Sequence, residues 1–408
     1  MGVAYTRRNR VCAILACALV KIAQTTQATR QGAQPVKVRV ENRLAQIRKS
    51  RGVGASDLAR RVNVSRQTIH AIEAGTYVPN TEVALHLARH LEVSVDELFA
   101  LKEDAAAGPE LLSADMLSAE PAVPGQPVRV SQVGSRWVSV PVSALPFYMP
   151  EADGIVKSAG RAKGRAQMLV FANDGAARKR LVLAGCDPAT GLLTSMVEKS
   201  SGVEVVAAGA SSRLALHWMV EGKVHIAGSH LEDPKSGEFN LPFLRKQFPG
   251  EELTVVTFAR WEEGFVVAPG NPKGIQKPED LARRGTRIAN REPGSGSRAL
   301  LDRLLETAGV ETARVFGYNK VAFGHLAAAY TVVTGEADAC LATRSAAQAF
   351  HLDFVPLHSA RYDLVMRRQT AQLPAVQAFL DVLQRAALRR KLEVLAGYDT
   401  STTGAIVM

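Results

Sequence analysis

The sequence predicts a multidomain chain: an all-α module of five short helices, a small β-rich connecting segment, and a carboxyl-terminal α/β portion in two lobes. Three observations predict it. The chain has 408 residues, more than one core usually organises at roughly 150 residues per domain. Between residues 40 and 99, apolar positions recur at helical spacing and are cut by glycine, serine and proline turn signals. From residue 180 onward, short apolar runs that end in glycine- and serine-containing loops alternate with amphipathic stretches, as in a parallel sheet flanked by helices.

A hydrophobic content of 47% with 22% charged residues excludes wholesale disorder and a polytopic membrane protein. The net charge of +11 permits a polyanionic partner without naming it. Cys12, Cys17, Cys186 and Cys340 are scattered, which excludes a disulfide scaffold, shows no zinc-ligand spacing and fits a reducing compartment. Residues 1–36 place Arg7, Arg8 and Arg10 before the apolar run VCAILACALV. That run is too short to span a bilayer, and the segment reads as a disordered extension or an over-extended start.

In the segment 37–101, Val40, Leu44 and Ile47 mark a first helix from Val40 to Arg51, stopped by Gly52 and Gly54. Ser56 is the expected cap of a second helix, Ser65 of a third carrying Ile69 and Ile72, Thr81 of a fourth, and Ser94 of a short fifth. Two helices joined by a tight turn, the second opening with Ser65, Arg66, Gln67 and Thr68, have the layout of a recognition helix for the major groove. Gln67 can pair with adenine, Arg66 with guanine or phosphate, and Thr68 with a thymine methyl or the backbone. His70, Arg43, Lys49, Tyr77 and Asn80 complete the candidate DNA-facing set. Lys37, Arg39, Arg43, Arg48, Lys49, Arg51, Arg60, Arg61 and Arg66, against Glu41 and Asp57, predict a phosphate-facing surface. The stretches DLARRVNVSRQTIHAIEAGTYVPN and ALHLARHLEVSVDELF resemble the Cro and phage-repressor (XRE) helix-turn-helix family. That resemblance implies double-stranded DNA as partner, a homodimer reading an inverted repeat, and a cytoplasmic protein.

Residues 102–126 read as a linker and 127–178 as a small β-rich segment, in which PVRVSQVGSRWVSVPVS alternates around Gly134, with GIVKSAG and AQMLVF as further strands. In 179–408, strands are expected at Arg180–Ala184, VEVVAAG, VHIAG, GFVVAPGNP and TRIANRE. Asp187 is expected to cap a helix with Pro188 at its first position, FVPLHSARYDLVM to cross back between two sheets, and one final helix to run from Pro374 to Ala396. The segments GCDPA, SSRLAL, HIAGSHLED, GFVVAPGNPKGI, NREPGSGSRALLD and GEADA look like the type II periplasmic-binding-protein fold, in particular the molybdate-binding-protein-like domain fused to regulators.

Ser211 and Ser212 in one lobe, and Ser295, Gly296 and Ser297 in the other, open helices where free N–H groups suit a tetrahedral oxyanion. Arg291 or Arg298 can add positive charge, and Tyr362 can close the cleft from the side. Asp187 and Glu292 do not suit a bare anion, so an organic molecule with an amine or hydroxyls is an alternative to molybdate or tungstate. His225 and His230 are expected to serve structural hydrogen bonds rather than a metal, and no other cofactor is expected. PGSGSR lacks the lysine of a P-loop, and no nucleophile, base and acid assemble, so catalysis is not expected. The resulting expectation is a ligand-responsive one-component regulator with no membrane partner; the alternative is an exported solute-binding protein of an oxyanion transport system.

Overall fold

The computed structural model describes residues 40–101, 109–142, 149–160, 164–171 and 175–408. The readings made for residues 1–36, and the basic side chains Lys37 and Arg39, lie outside the described residues. The chain divides into two compact units, 1–106 and 107–408.

In the first unit, strand β1 (Val40–Asn42) pairs antiparallel with β2 (Phe99–Leu101). Between them lie helices α1 (Leu44–Ser50), α2 (Ala55–Arg61), α3 (Arg66–Glu73), α4 (Thr81–Leu91) and α5 (Val95–Leu98). Val40 thus begins a strand and not the first helix, because its backbone is held by Leu101. The cap of α2 is Gly54 rather than Ser56, and Asn80 rather than Thr81 caps α4 by accepting the Val83 N–H at 2.9 Å. Ser65 and Ser94 cap α3 and α5 as expected, each hydroxyl accepting a backbone N–H three residues on. Leu44, Leu58, Ile69, Ile72, Leu87, Leu91 and Leu98 form one core. Arg48 is withdrawn from the basic surface: its Nε donates to Glu73 Oε1 at 2.6 Å and its Nη1 to the Val53 carbonyl at 2.8 Å, tying α1 to α3.

The second unit begins with a closed barrel of β3 (Glu110–Met116), β4 (Pro127–Val133), β5 (Arg136–Pro141), β6 (Gly154–Ala159) and β7 (Arg165–Val170), in the order β3-β5-β4-β6-β7. The linker reading of 102–126 is corrected here, since β3 lies inside it. ELLSADM pairs antiparallel along β7 and buries Ala114 and Met116, a contact that composition does not reveal.

The rest of the unit is built on an eight-stranded sheet. Its strands are β8 (Leu181–Gly185), β9 (Val205–Gly209), β10 (Ile226–Ser229), β11 (Leu253–Val267), β12 (Ile288–Arg291), β13 (Val321–Ala322), β14 (Ala339–Thr343) and β15 (Asp353–Arg367), in the order β13-β12-β14-β11-β15-β10-β8-β9. The two expected sheets are therefore halves of one. Strands β11 and β15, each 15 residues long, pair antiparallel along their whole length and belong to both lobes. Irregularities between Thr257 and Ala259 and between Glu263 and Gly264 fall midway, where a bulge bends a strand. Helices α6 (Thr190–Ser201), α7 (Ser212–Val220) and α8 (Leu241–Gln247) serve the first lobe. Helices α9 (Gly296–Thr307), α10 (His325–Val333) and α11 (Arg344–Ala349) serve the second. The expected single final helix is broken into α13 (Pro374–Leu383) and α14 (Ala386–Ala396), after the short α12 (Arg368–Ala371). Cores lie on both faces of each lobe: Phe258, Val376 and Phe379 in one cluster, Val182, Leu216 and Val255 in a second, Ile288 and Leu301 in a third, Ala289 and Ala329 in a fourth. Among the described residues no helix is long and apolar enough to cross a membrane.

Candidate functional site

In a parallel sheet the loops after the strands gather at one edge, and here both lobes turn that edge toward each other. Cys186 and Asp187 follow β8, Ser211 and Ser212 follow β9, His230 follows β10, Glu292 follows β12, and His325 opens α10 after β13. The long strands add Trp261 and Glu263 from β11 and Tyr362 from β15, and the carboxyl-terminal segment adds Tyr398. The lobes touch: the Arg213 N–H donates to the Gly294 carbonyl at 3.2 Å. A cavity of about 530 Å³ is lined by Gly185, Cys186, Ser211, Arg213, Glu292 and Gly294 among others.

Beside this cavity lies a buried charged cluster. Arg291 donates from Nε and Nη2 to both oxygens of Glu292, each at 2.9 Å. His230 stands 3.5 Å from Glu263. Burial alone would discharge His230, yet the Glu263 carboxylate and Cys186 outweigh it and raise the imidazole to about 10. Burial likewise opposes the charged forms of Glu263 and Glu292, but His230 and Arg291 respectively hold both below the usual carboxylate range. His325 is driven well below its ordinary value by burial and by the charges of Arg291 and His230, and is neutral. Burial raises Asp187 to about 7 against the hydrogen bonds it accepts from the Ala189 N–H at 2.6 Å and from Tyr398. Trp261 and Tyr362 pack with ring centres 4.7 Å apart. Among the described residues, Asp187 Oδ2, His230 Nε2, Trp261 Nε1, Arg291 Nη1 and His325 Nδ1 are buried without a hydrogen-bond partner. Native interiors rarely leave such atoms unsatisfied.

The serines behave differently from the expectation that their hydroxyls face a ligand. Ser211 and Ser295 cap α7 and α9, accepting the N–H groups of Leu214 and Arg298. The Ser212 hydroxyl lies 3.2 Å from His230 Nδ1, and Ser297 donates to Glu263 at 2.6 Å. Gly296 lets α9 approach the His230 ring, which a Cβ would strike. Arg298 reaches Asp302 and the Tyr318 ring, and its Nη1 donates to the Arg291 carbonyl at 3.2 Å. Tyr362 is buried under the strands, its hydroxyl occupying the space a side chain at Gly228 would need, and so it forms the floor rather than a side wall. Asp187 caps the turn at Ala189, while α6 starts only at Thr190.

Glu263, His325, Trp261 and Tyr398 escaped the sequence reading. Glu263 immediately precedes Gly264, where the sequence reading began this 15-residue strand, and Tyr398 reaches the site from the chain's end. His225, by contrast, makes the structural hydrogen bond expected of it, accepting the Val182 N–H at Nδ1 at 3.0 Å. Burial lowers its imidazole to about 4. A depressed histidine stabilises the fold above its unfolded value near 6.5 and loses that contribution as pH falls toward 4. His225→Asn, which keeps an acceptor but cannot titrate, is expected to remove about 2 kcal/mol of acid destabilisation between pH 6.5 and 4, a figure reduced for partial exposure. Denaturant melts at stepped pH check it; identical pH slopes for the two proteins refute it.

In the first unit, Ser65, Arg66, Gln67 and His70 are exposed on α3, with Thr68 half-buried beside them. The Ser65 and Thr68 hydroxyls lie 2.8 Å apart, and Arg66 Nε lies 3.3 Å from His70 Nε2. Arg43, Lys49, Tyr77 and Asn80 are also exposed, although the side-chain oxygen of Asn80 is engaged in its cap.

Two lobes joined by paired long strands, with strand-end loops meeting at a cleft, define a ligand-binding domain of the periplasmic-binding-protein type; the helical unit is a helix-turn-helix domain. The chain carries a PBP superfamily domain, matched over residues 194–384, and a helix-turn-helix domain, matched over 42–101. It is 34% identical over 231 residues to the uncharacterized protein YvgK of Bacillus subtilis, covering 57% of this chain and 74% of that one. Over 65 residues it is 35% identical to the uncharacterized HTH-type transcriptional regulator MJ0272 of Methanocaldococcus jannaschii, covering 16% of this chain and 98% of that one. Among solved structures, the tungstate ABC transporter from Geobacter sulfurreducens aligns at a TM-score of 0.40 and 16% identity, over 54% of this chain and 99% of that chain.

Proposed function

We propose that this protein is a one-component transcription regulator of the cytoplasm, which binds operator DNA as a homodimer through α3 and senses a small anionic ligand in the cleft. A tetrahedral oxyanion of the molybdate or tungstate type is the leading candidate. The observation that carries the ligand class is the set of unsatisfied buried nitrogens at Trp261 Nε1, Arg291 Nη1 and His325 Nδ1. The two carboxyl groups that argued against an anion have lost that force. Glu292 is neutralised by Arg291, and Asp187, raised to about 7, is partly protonated at neutral pH and can donate. Such groups pre-organise a site for negative charge at the helix starts. Neither a regulator nor a binding protein of these families performs catalysis, and the helix-turn-helix domain favours regulation over export.

Ligand bridging both lobes would favour the closed cleft by its differential affinity, with β11 and β15 bending at their irregular midpoints. That change, passed to a dimer, alters operator affinity. Thermal-shift titration of the full chain with molybdate, tungstate, sulfate and phosphate tests the reading. A ligand at 100 times its dissociation constant is expected to add about 2.7 kcal/mol of stability, and Arg291→Lys to abolish the shift. No shift with any of these anions at millimolar concentration overturns the oxyanion assignment.

A further inference from the structure

We propose that Cys186, His230 and His325 form a site for one thiophilic d10 cation, with Zn²⁺ as its probe. The three side chains come from three different strand ends, and their ligand atoms all lie within 4.8 Å of one another. The Cys186 sulfur is already 3.8 Å from His325 Nε2. Ligands at the usual zinc–sulfur and zinc–nitrogen lengths sit about 3.5 Å apart in a tetrahedron, close to the Cys186–His325 separation. Both histidines are buried, and His230 Nε2 makes no hydrogen bond, its charged neighbour being Glu263 Oε1 at 3.5 Å. Its other nitrogen lies beside the Ser212 hydroxyl at 3.2 Å, the kind of outer contact that orients a ligating imidazole. One thiolate with two imidazoles is a donor set for a soft or borderline metal and a poor one for magnesium or calcium.

Two carboxylates stand beside the three ligands: Glu263, 3.5 Å from His230, and Glu292, paired with Arg291. Half-buried Cys186 also lines the 530 Å³ cavity, which gives the ion an entry path. Cys340, by contrast, is fully buried and pushed up to about 12 by that burial. The inference does not depend on which anion enters the cleft, because the metal alone is the probe.

The full chain, stripped with chelator, is titrated with Co²⁺ and then Zn²⁺. One equivalent of Co²⁺ is expected to produce a thiolate-to-cobalt charge-transfer band, which Zn²⁺ bleaches by displacing the cobalt. Cys186→Ser and His325→Ala remove the band, Cys12→Ser with Cys17→Ser leaves it intact, and Ser212→Ala weakens Zn²⁺ by roughly 10–100-fold. Far-ultraviolet circular dichroism confirms that each variant is folded. A wild-type protein without the band, or a band that survives Cys186→Ser, overturns the site; failure of the oxyanion titration leaves it standing.

Discussion

Glu263→Ala is expected to destabilise the carboxyl-terminal unit by about 3–5 kcal/mol, the cost of leaving a buried charge without its partner. Glu263 is 2% exposed, faces His230 at 3.5 Å and accepts from Ser297 at 2.6 Å. Its removal strands the buried imidazolium of His230, which must discharge or draw in water. The same pairing sets the pH response. His230 is raised to about 10, so its stabilising contribution is complete below 6.5 and is lost progressively as pH rises toward 10. Glu263 is lowered, so its contribution is present above the ordinary carboxylate value and lost as pH falls through its depressed one. Urea melts of Glu263→Ala and Glu263→Gln across this range provide the measurement. An alanine variant within about 1 kcal/mol of the parent, the scale of an ordinary substitution, would show that the pair carries little of the fold.

The double variant Arg66→Ala with Gln67→Ala is expected to lose roughly 2–6 kcal/mol of operator binding, about 1–3 kcal/mol for each bidentate base contact. Its affinity for unrelated DNA should change far less. Both side chains project from the first turn of α3 into solvent, and the helix is held by Ile69, Ile72 and the Arg48–Glu73 pair, so truncation should spare the unit's stability. Lys49→Ala should weaken all sequences alike and reduce the salt slope by about 1. Gel shift with the gene's own upstream region, at several salt concentrations, distinguishes the two. An unchanged ratio of specific to non-specific binding in the double variant would remove α3 as the reading helix.

Wherever a residue's environment is supplied by its near neighbours in the chain, the sequence reading located it well. The cores of α3 and α4 follow from Ile69, Ile72, Leu87 and Leu91 at helical spacing, and the caps at Ser65 and Ser94 follow from their own side chains. Errors of capping arose where two adjacent residues compete, as Asn80 and Thr81 do, or where a glycine turn does the work, as at Gly54. Strand β3 was hidden in a segment that reads as a linker, because its burial is provided by β7, some fifty residues away.

In the cleft the division is sharper. Strand ends bearing Asp187, Ser212, Arg291 and Ser297 could be picked out, since a parallel sheet sends its loops to one edge. Whether those side chains face a ligand or one another depends on distances between segments far apart in the chain. Ser212 went to His230, Ser297 to Glu263 and Arg291 to Glu292, while Arg298 went to Asp302 and the Arg291 carbonyl. Local patterning decides which backbone conformations are affordable and which faces are apolar, and that is enough to establish two kinds of domain in this chain. Charge pairing in a buried cluster is set by approaches of a few ångströms between strands, and only the packed tertiary structure brings Cys186, His230, Glu263, Arg291 and His325 into one another's field.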